Sequence, residues 1–178
     1  KDMVCDLMKS PIAIETKKAN EQHYEVPADF FEIVLGKNLK YSSGYFSEDS
    51  RDLNKSEDDM LNLYAVRAEI QDGMEILDLG CGWGSLSLFL AQKFPNAKIT
   101  SLSNSHEQKN FIEKRAQNLD ISNIRVLTED ISVFNFSSQK IFDRIVSIEM
   151  FEHMRNYNSL LKKISTWLKD NGKLFIHI

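Results

Sequence analysis

The stretch EILDLGCGWGSLSLF, Glu75 to Phe89, constrains the fold of this 178-residue chain more than any other. It reads as a short apolar strand (Ile76, Leu77, Leu79), a glycine loop (Gly80, Gly82, Gly84) and an amphipathic helix starting near Ser85. The alternation continues downstream. Lys98 to Leu102, Ile124 to Thr128, Phe142 to Ile148 and Lys173 to Ile178 read as strands. Glu107 to Asn118 and Asn158 to Leu168 read as helices, and Asn171-Gly172 as the turn before the last strand. Apolar strands alternating with helices call for a parallel sheet covered on both faces, a doubly wound α/β fold.

In such a sheet a ligand sits at the carboxyl ends of the strands, where the strand order reverses. Asp78, Ser103, Asp130, Glu149 and His177 are therefore expected to gather there. Glycines in the loop let a ligand approach the main chain, and the following helix aims its free N–H groups at a polar head. The spacing is G-x-G-x-G, not the G-x-G-x-x-G of dinucleotide sites. About 20 residues on, where those sites carry an acid for the ribose, the chain offers Ser103, Asn104 and Gln108. This arrangement suits the smaller zwitterionic head of S-adenosylmethionine; the plain alternative is a glycine-rich turn without a ligand.

Ahead of this region, residues 1 to 22 read as a weak helix with Pro11 in its first turn, and PADFFEIVL as a short helix opened by Pro27 and stopped by Gly36. In LKYSSGYF, the rings of Tyr41, Tyr45 and Phe46 flank a flexible hinge; the two readings are a cap over a cation such as a sulfonium and ordinary packing of loop aromatics. A helix from about Ser56 to Ile70 follows, with Ser56 and Asp59 as its capping pair. The organisation expected is a lid and cofactor loop over residues 1–55 and a ligand-binding domain over 56–178, truncated after the fifth strand.

The SIEMFEHM segment places Glu149, Glu152 and His153 at i, i+3 and i+4, one face if the turn is helical. Two acids and a histidine at a strand end are costly as core and useful for moving protons. His177 either faces the same cavity or is a packed strand histidine. Net charge is −4 with scattered basic residues, which disfavours nucleic acid as a partner. Cys5 and Cys81 and the four histidines show no metal-ligand spacing. No run approaches the ~18 apolar residues of a membrane span, so a cytoplasmic protein without a metal is expected.

Three segments, ANEQHYEVPADFFEIVLGKNLKYSSGYF, ILDLGCGWGSLSLFLAQKFPNAKITSLSNSHEQ and DRIVSIEMFEHMRNYNSLL, together resemble the coclaurine-type alkaloid N-methyltransferases. These share an S-adenosylmethionine-dependent superfamily with the cyclopropane-fatty-acyl-phospholipid synthases. The resemblance implies the class I methyltransferase fold, S-adenosyl-L-methionine as cofactor and a small-molecule amine as acceptor. It places Tyr41 and Ser42 at the methionine end of the cofactor, Gly80 and Gly82 under its amino acid moiety, Asn104 and Gln108 at the ribose, Asp130 and Ile131 beside the adenine, and Ile148 near the sulfonium. Glu149, Glu152 and His153 match the active-site acids and histidine of the N-methyltransferases, while Glu152 and His177 match bicarbonate-holding residues of the synthases. Ser43 stands where a cysteine is expected, and Glu149 where the synthases often carry glycine; both departures favour amine methylation. The alternatives are acyl-chain cyclopropanation, which alone would bring membrane contact, and a binding module without chemistry. A homodimer is compatible with all three.

Overall fold

The computed structural model describes residues 2–14 and 28–178. Helix α1 spans Asp2–Lys9, α2 Ala28–Val34 and α3 Leu53–Arg67. Then follow β1 (Glu75–Leu79), α4 (Ser85–Lys93), β2 (Lys98–Ser103), α5 (His106–Asn118), β3 (Ile124–Thr128), β4 (Phe142–Ile148), a 3-10 turn (Phe151–His153), α6 (Tyr157–Trp167) and β5 (Leu168–His177). Pro27 and His23 lie outside the described residues.

The five strands pair in parallel in the order β3-β2-β1-β4-β5. The chain steps outward from β1 to β3, then crosses back to β4, so the order reverses between β1 and β4. That reversal leaves a crevice at their carboxyl ends. Central β1 is buried on both faces, with Ile76, Leu77 and Leu79 at most 1% exposed, and hence reads as a continuous apolar run. Its side chains alternate between two cores. Ile76 packs with Ile99, Val146 and the apolar face of α3 and α4, including Leu61, Tyr64, Leu86 and Leu90. Leu77 and Leu79 pack with Ile145, Leu160, Ile164 and Trp167 on the α6 side.

Several boundaries differ from the sequence expectation for identifiable reasons. Helix α3 starts at Leu53, because Asp52 is the N-cap and accepts from the Lys55 N–H at 2.8 Å. Asp59, expected in the cap, instead accepts from the hydroxyls of Ser47 at 2.7 Å and Ser50 at 2.5 Å. Pro11 follows α1 instead of opening a helix. Asn171-Gly172 is an irregularity within β5, not a turn before it: pairing jumps from Phe142 with Leu168 to Arg144 with Lys173. No described helix is long and apolar enough to cross a membrane.

Candidate active site

A cavity of about 330 Å³ opens at the carboxyl ends of β1 to β4, within the range usual for small-molecule sites. Its floor is the glycine loop. The N–H groups of Gly80 and Cys81 both donate to the Leu102 carbonyl at 3.0 Å, which ties the loop to the end of β2. Gly80 has φ +86°, and a Cβ there would lie 2.6 Å from Met150 Cγ. Gly82 has φ +52°, lines the cavity, and a Cβ there would meet no protein atom within 4 Å. A side chain at Gly82 would therefore meet open space and not the protein.

Asp78 does not line the cavity. As the neighbour of Leu77 and Leu79 it points to the opposite face, under the loop, and is 2% exposed. Its carboxylate accepts from Ser87 Oγ at 2.6 Å, and Ser101 Oγ donates to Ser87 Oγ at 2.7 Å. Burial pushes its carboxyl up from 3.8 to about 6, against the pull of the Ser87 hydrogen bonds. The folded state thus holds this proton more tightly than the unfolded chain. The contribution to stability is complete below the ordinary carboxylate pKa and is lost as pH rises through about 6. Asp78→Asn keeps an acceptor for Ser87 and removes the titration. On urea unfolding, its stability relative to the unmodified protein is expected to improve by about 2–3 kcal/mol between pH 4 and pH 7; a constant difference would contradict this.

At the β2 end, Ser103 Oγ donates to Gln108 Oε1 and accepts from the Ser105 N–H at 3.1 Å. Ser105 caps α5 and accepts from the Gln108 N–H at 3.3 Å. Gln108 is 1% exposed and lines the cavity, yet its Nε2 has no partner. A buried amide donor left unpaired costs about 1–3 kcal/mol, so its presence here marks a place for an acceptor. Asn104 lines the same wall, and Asp130 and Ile131 continue it at the end of β3. Asp130 Oδ1 accepts from the Ser132 N–H at 2.8 Å, which shapes that corner.

The acid cluster is assembled differently from a helical face. Glu149 directly follows β4 with φ +52°, and its N–H donates to the His177 carbonyl at 2.9 Å. Only Glu152 and His153 lie in the 3-10 turn, where consecutive side chains diverge. The reversal at Glu149 nonetheless brings Glu149, Glu152 and His153 to the cavity wall. Burial pushes the Glu152 carboxyl up, the Glu149 hydrogen bond and charge push it further, and His153 pulls it back. His177 is not a lining residue. Its Nε2 stands 3.4 Å from Glu149 Oε1, and its ring meets Tyr64 edge-on at 5.1 Å, so it reaches the cavity only through Glu149. Ile148 likewise stays out of the cavity and packs on the α3 face.

Tyr41 and Ser42 form the roof with Phe31, Ala13 and Ile14. The Phe31 ring meets Tyr41 at 5.4 Å and Trp83 at 5.7 Å, joining α2 to the glycine loop. The segment leading to Ala13 and Ile14 is tied to the residues before α6: Asn156 Nδ2 donates to the carbonyls of Met8 at 2.9 Å and Ser10 at 2.8 Å, and the Arg155 N–H to that of Ile12 at 2.8 Å. Tyr45 and Phe46, expected in an aromatic cap, are exposed and do not line the cavity. Sequence reasoning missed Trp83, Glu129, Met150 and Met154, all of which line it. It also missed Lys40, which is 7% exposed, donates to the Ser42 carbonyl and lies 5.0 Å over the Tyr64 ring. Burial pushes the Lys40 ammonium down to about 8, with Glu149 and Glu57 opposing that shift. Among the described residues no group of acidic, histidine or cysteine side chains is placed to hold a metal.

Residues 13–178 match the mycolic acid cyclopropane synthetase family. The chain belongs to that family. Within it, the chain is 45% identical over 170 residues to (S)-coclaurine N-methyltransferase of Thalictrum flavum subsp. glaucum, covering 96% of this chain and 46% of that protein. Identity to the cyclopropane-fatty-acyl-phospholipid synthase of Escherichia coli strain K12 is 30% over 159 residues, covering 88% and 39%. A crystal structure of coclaurine N-methyltransferase bound to N-methylheliamine and SAH superposes with a TM-score of 0.93 at 43% identity, covering 98% of this chain and 50% of that one. The chain spans about half the length of the curated relatives it matches.

Proposed function

We propose that the protein is an S-adenosylmethionine-dependent N-methyltransferase acting on a small amine of the coclaurine type. The observation that carries this reading is that one cavity gathers two chemically different sets of groups. One set is the open glycine and the unpartnered Gln108 amide; the other is Glu149, Glu152 and His153.

The residues present fit the cofactor. Gly80 and Gly82 would lie under its amino acid end, Asn104 and Gln108 would take the ribose, Asp130 and Ile131 would flank the adenine, and Tyr41 and Ser42 would close over the methionine end. When bound, S-adenosylmethionine supplies a methyl group activated by a sulfonium. The chain's own task at the other end is to deliver a neutral amine, since most aliphatic amines arrive protonated at neutral pH. Glu149 and Glu152 attract the ammonium, and a Glu152 carboxylate oxygen takes its proton, leaving the nitrogen lone pair free. His153, beside Glu152, passes the proton toward solvent. His177 holds the Glu149 carboxylate from behind. Met150, Met154, Ile14 and Ala13 give the lining an apolar surface that fits an amphipathic amine.

Full-length protein supplied with methyl-labelled cofactor is expected to label coclaurine-like amines and leave unsaturated phospholipid vesicles unlabelled. Label in phospholipid alone would overturn the assignment in favour of cyclopropanation. Gln108→Ala is expected to raise the dissociation constant for S-adenosylhomocysteine by an amount worth about 1–3 kcal/mol, one buried hydrogen bond. An unchanged constant on titration calorimetry would show that the amide meets no ribose.

A further inference from the structure

We propose that Glu57 is a positioning residue for the loop that carries Tyr41 and Ser42. The inference rests on the cofactor reading above, in which those two residues close over the methionine end.

Glu57 sits near the start of α3 and is 3% exposed, among the most deeply buried charged side chains described. Its Oε1 accepts from the N–H groups of Gly36 at 2.8 Å and Lys40 at 3.2 Å, and its Oε2 from that of Asn38 at 2.8 Å. Three alternate residues of one loop thus aim their amides at one carboxylate. Such a concave set of backbone N–H groups is a nest for an anion, and here the anion belongs to the chain itself. Leu39, between two of the donors, has φ +52° and is 3% exposed, and its N–H donates to the Gly36 carbonyl at 3.0 Å. A bulky residue holds that conformation only where its surroundings impose it. The carboxylate supplies the imposition. Gly36 has no side chain for the same reason, since a Cβ would stand 2.7 Å from Glu57 Cδ.

Tyr41 follows Lys40 directly, so fixing the Lys40 amide fixes where the roof of the cavity begins. The far side of the loop rests on the preceding residue of the same helix. Tyr45 donates its N–H to the Ser56 carbonyl at 3.2 Å, and Gly44 faces the Ser56 hydroxyl without room for a Cβ. Residues 36–45 are therefore moulded on Ser56 and Glu57. The Lys40 side chain adds a second tie, donating to the Ser42 carbonyl. Glu57 itself does not line the cavity, so it acts through the loop.

Glu57→Gln tests this, because it keeps the shape and replaces one acceptor oxygen by an NH₂ that confronts a backbone N–H. In the full-length protein, calorimetric titration with S-adenosylhomocysteine is expected to give a dissociation constant raised about tenfold or more, the equivalent of one hydrogen bond's worth of misplacement. The control is Asn123→Ala. Asn123 Nδ2 donates to the carbonyls of Ala91 at 3.1 Å, Phe94 at 3.1 Å and Ala97 at 3.0 Å, at the opposite end of the sheet. Its loss is expected to lower the melting temperature with no change in the dissociation constant. Should Glu57→Gln fail to fold, Gly36→Ala displaces the carboxylate from the other side and is expected to weaken binding in the same direction. Folded Glu57→Gln or Gly36→Ala with undiminished affinity would overturn the proposal, as would equal weakening by Asn123→Ala. Failure of the unmodified protein to bind S-adenosylhomocysteine would instead remove the cofactor reading itself.

Discussion

Glu152→Gln is expected to lower the methylation rate about 10²-fold or more, the usual contribution of a positioned acid or base, while leaving the affinity for S-adenosylhomocysteine nearly intact. The side chain is exposed on its outer side, yet desolvation against the cavity wall and the neighbouring Glu149 both push its pKa up. A raised value brings a carboxylate closer to the proton affinity of the task, since the best general base titrates near the working pH. The sign follows directly. On the methyltransferase reading, the carboxylate ionises as pH rises through the raised value and becomes able to accept the amine's proton, so the rate of the unmodified protein is expected to climb there. The glutamine cannot titrate, and that limb should vanish from its pH–rate profile. His153→Ala should lose a similar factor, because the proton then has no imidazole through which to leave. Saturating the cofactor and following rate against pH checks both variants. A Glu152→Gln enzyme with an undiminished rate would place the base elsewhere, and one with a reduced rate but the same limb would assign Glu152 to substrate binding alone.

The parts of this molecule that could be read from the sequence are those governed by short-range periodicity. Residues Ile124–Thr128 and Phe142–Ile148 form strands with the expected bounds, since strands buried in a parallel sheet leave an unbroken apolar run. The strand-end rule also located Ser103, Asp130 and Glu149 at the cavity, because the reversal of strand order dictates where a crevice opens. Pleat parity decided against Asp78. Its neighbours Leu77 and Leu79 face one core, so it must face the other. The i, i+3, i+4 pattern of Glu149, Glu152 and His153 was misleading in geometry, as a single left-handed residue and a 3-10 turn bring the same side chains to the same wall. Lys40 and Glu57 had no local signature at all. Their burial depends on contacts 17 residues apart in the chain, and nothing in the composition around a lysine or a glutamate announces that its partner is a folded loop. Helix α3 was displaced for a related reason: Ser56 resembles a cap, but it is fully buried against Gly44 and the true cap is Asp52.

Gly82→Val is expected to abolish cofactor binding outright while leaving the protein folded. Two effects meet at this position, and they can be separated. The first is conformational: φ is +52°, in the left-handed region that a β-branched residue enters only at a cost of about 1–2 kcal/mol. The second is occlusion. A Cβ at Gly82 meets no protein atom within 4 Å and Gly82 lines the cavity, so on the cofactor reading the valine takes space that the ligand's amino acid end would need. The neighbouring Gly80 would not serve as a test, because a Cβ there strikes Met150 and rearranges the wall itself. Gly73 provides the control. It has φ +82° and also nothing within 4 Å of a Cβ, but it lies in the turn before β1, outside the cavity lining. Gly73→Val therefore carries the backbone strain without the occlusion. Both variants should melt a few degrees lower, the shift that about 1 kcal/mol produces in a domain of this size. Calorimetric titration should then show normal affinity for S-adenosylhomocysteine in Gly73→Val and none in Gly82→Val. Retained binding in Gly82→Val would mean that the ligand's path does not pass over the loop, and would move the cofactor's amino acid end away from Gly80 and Gly82.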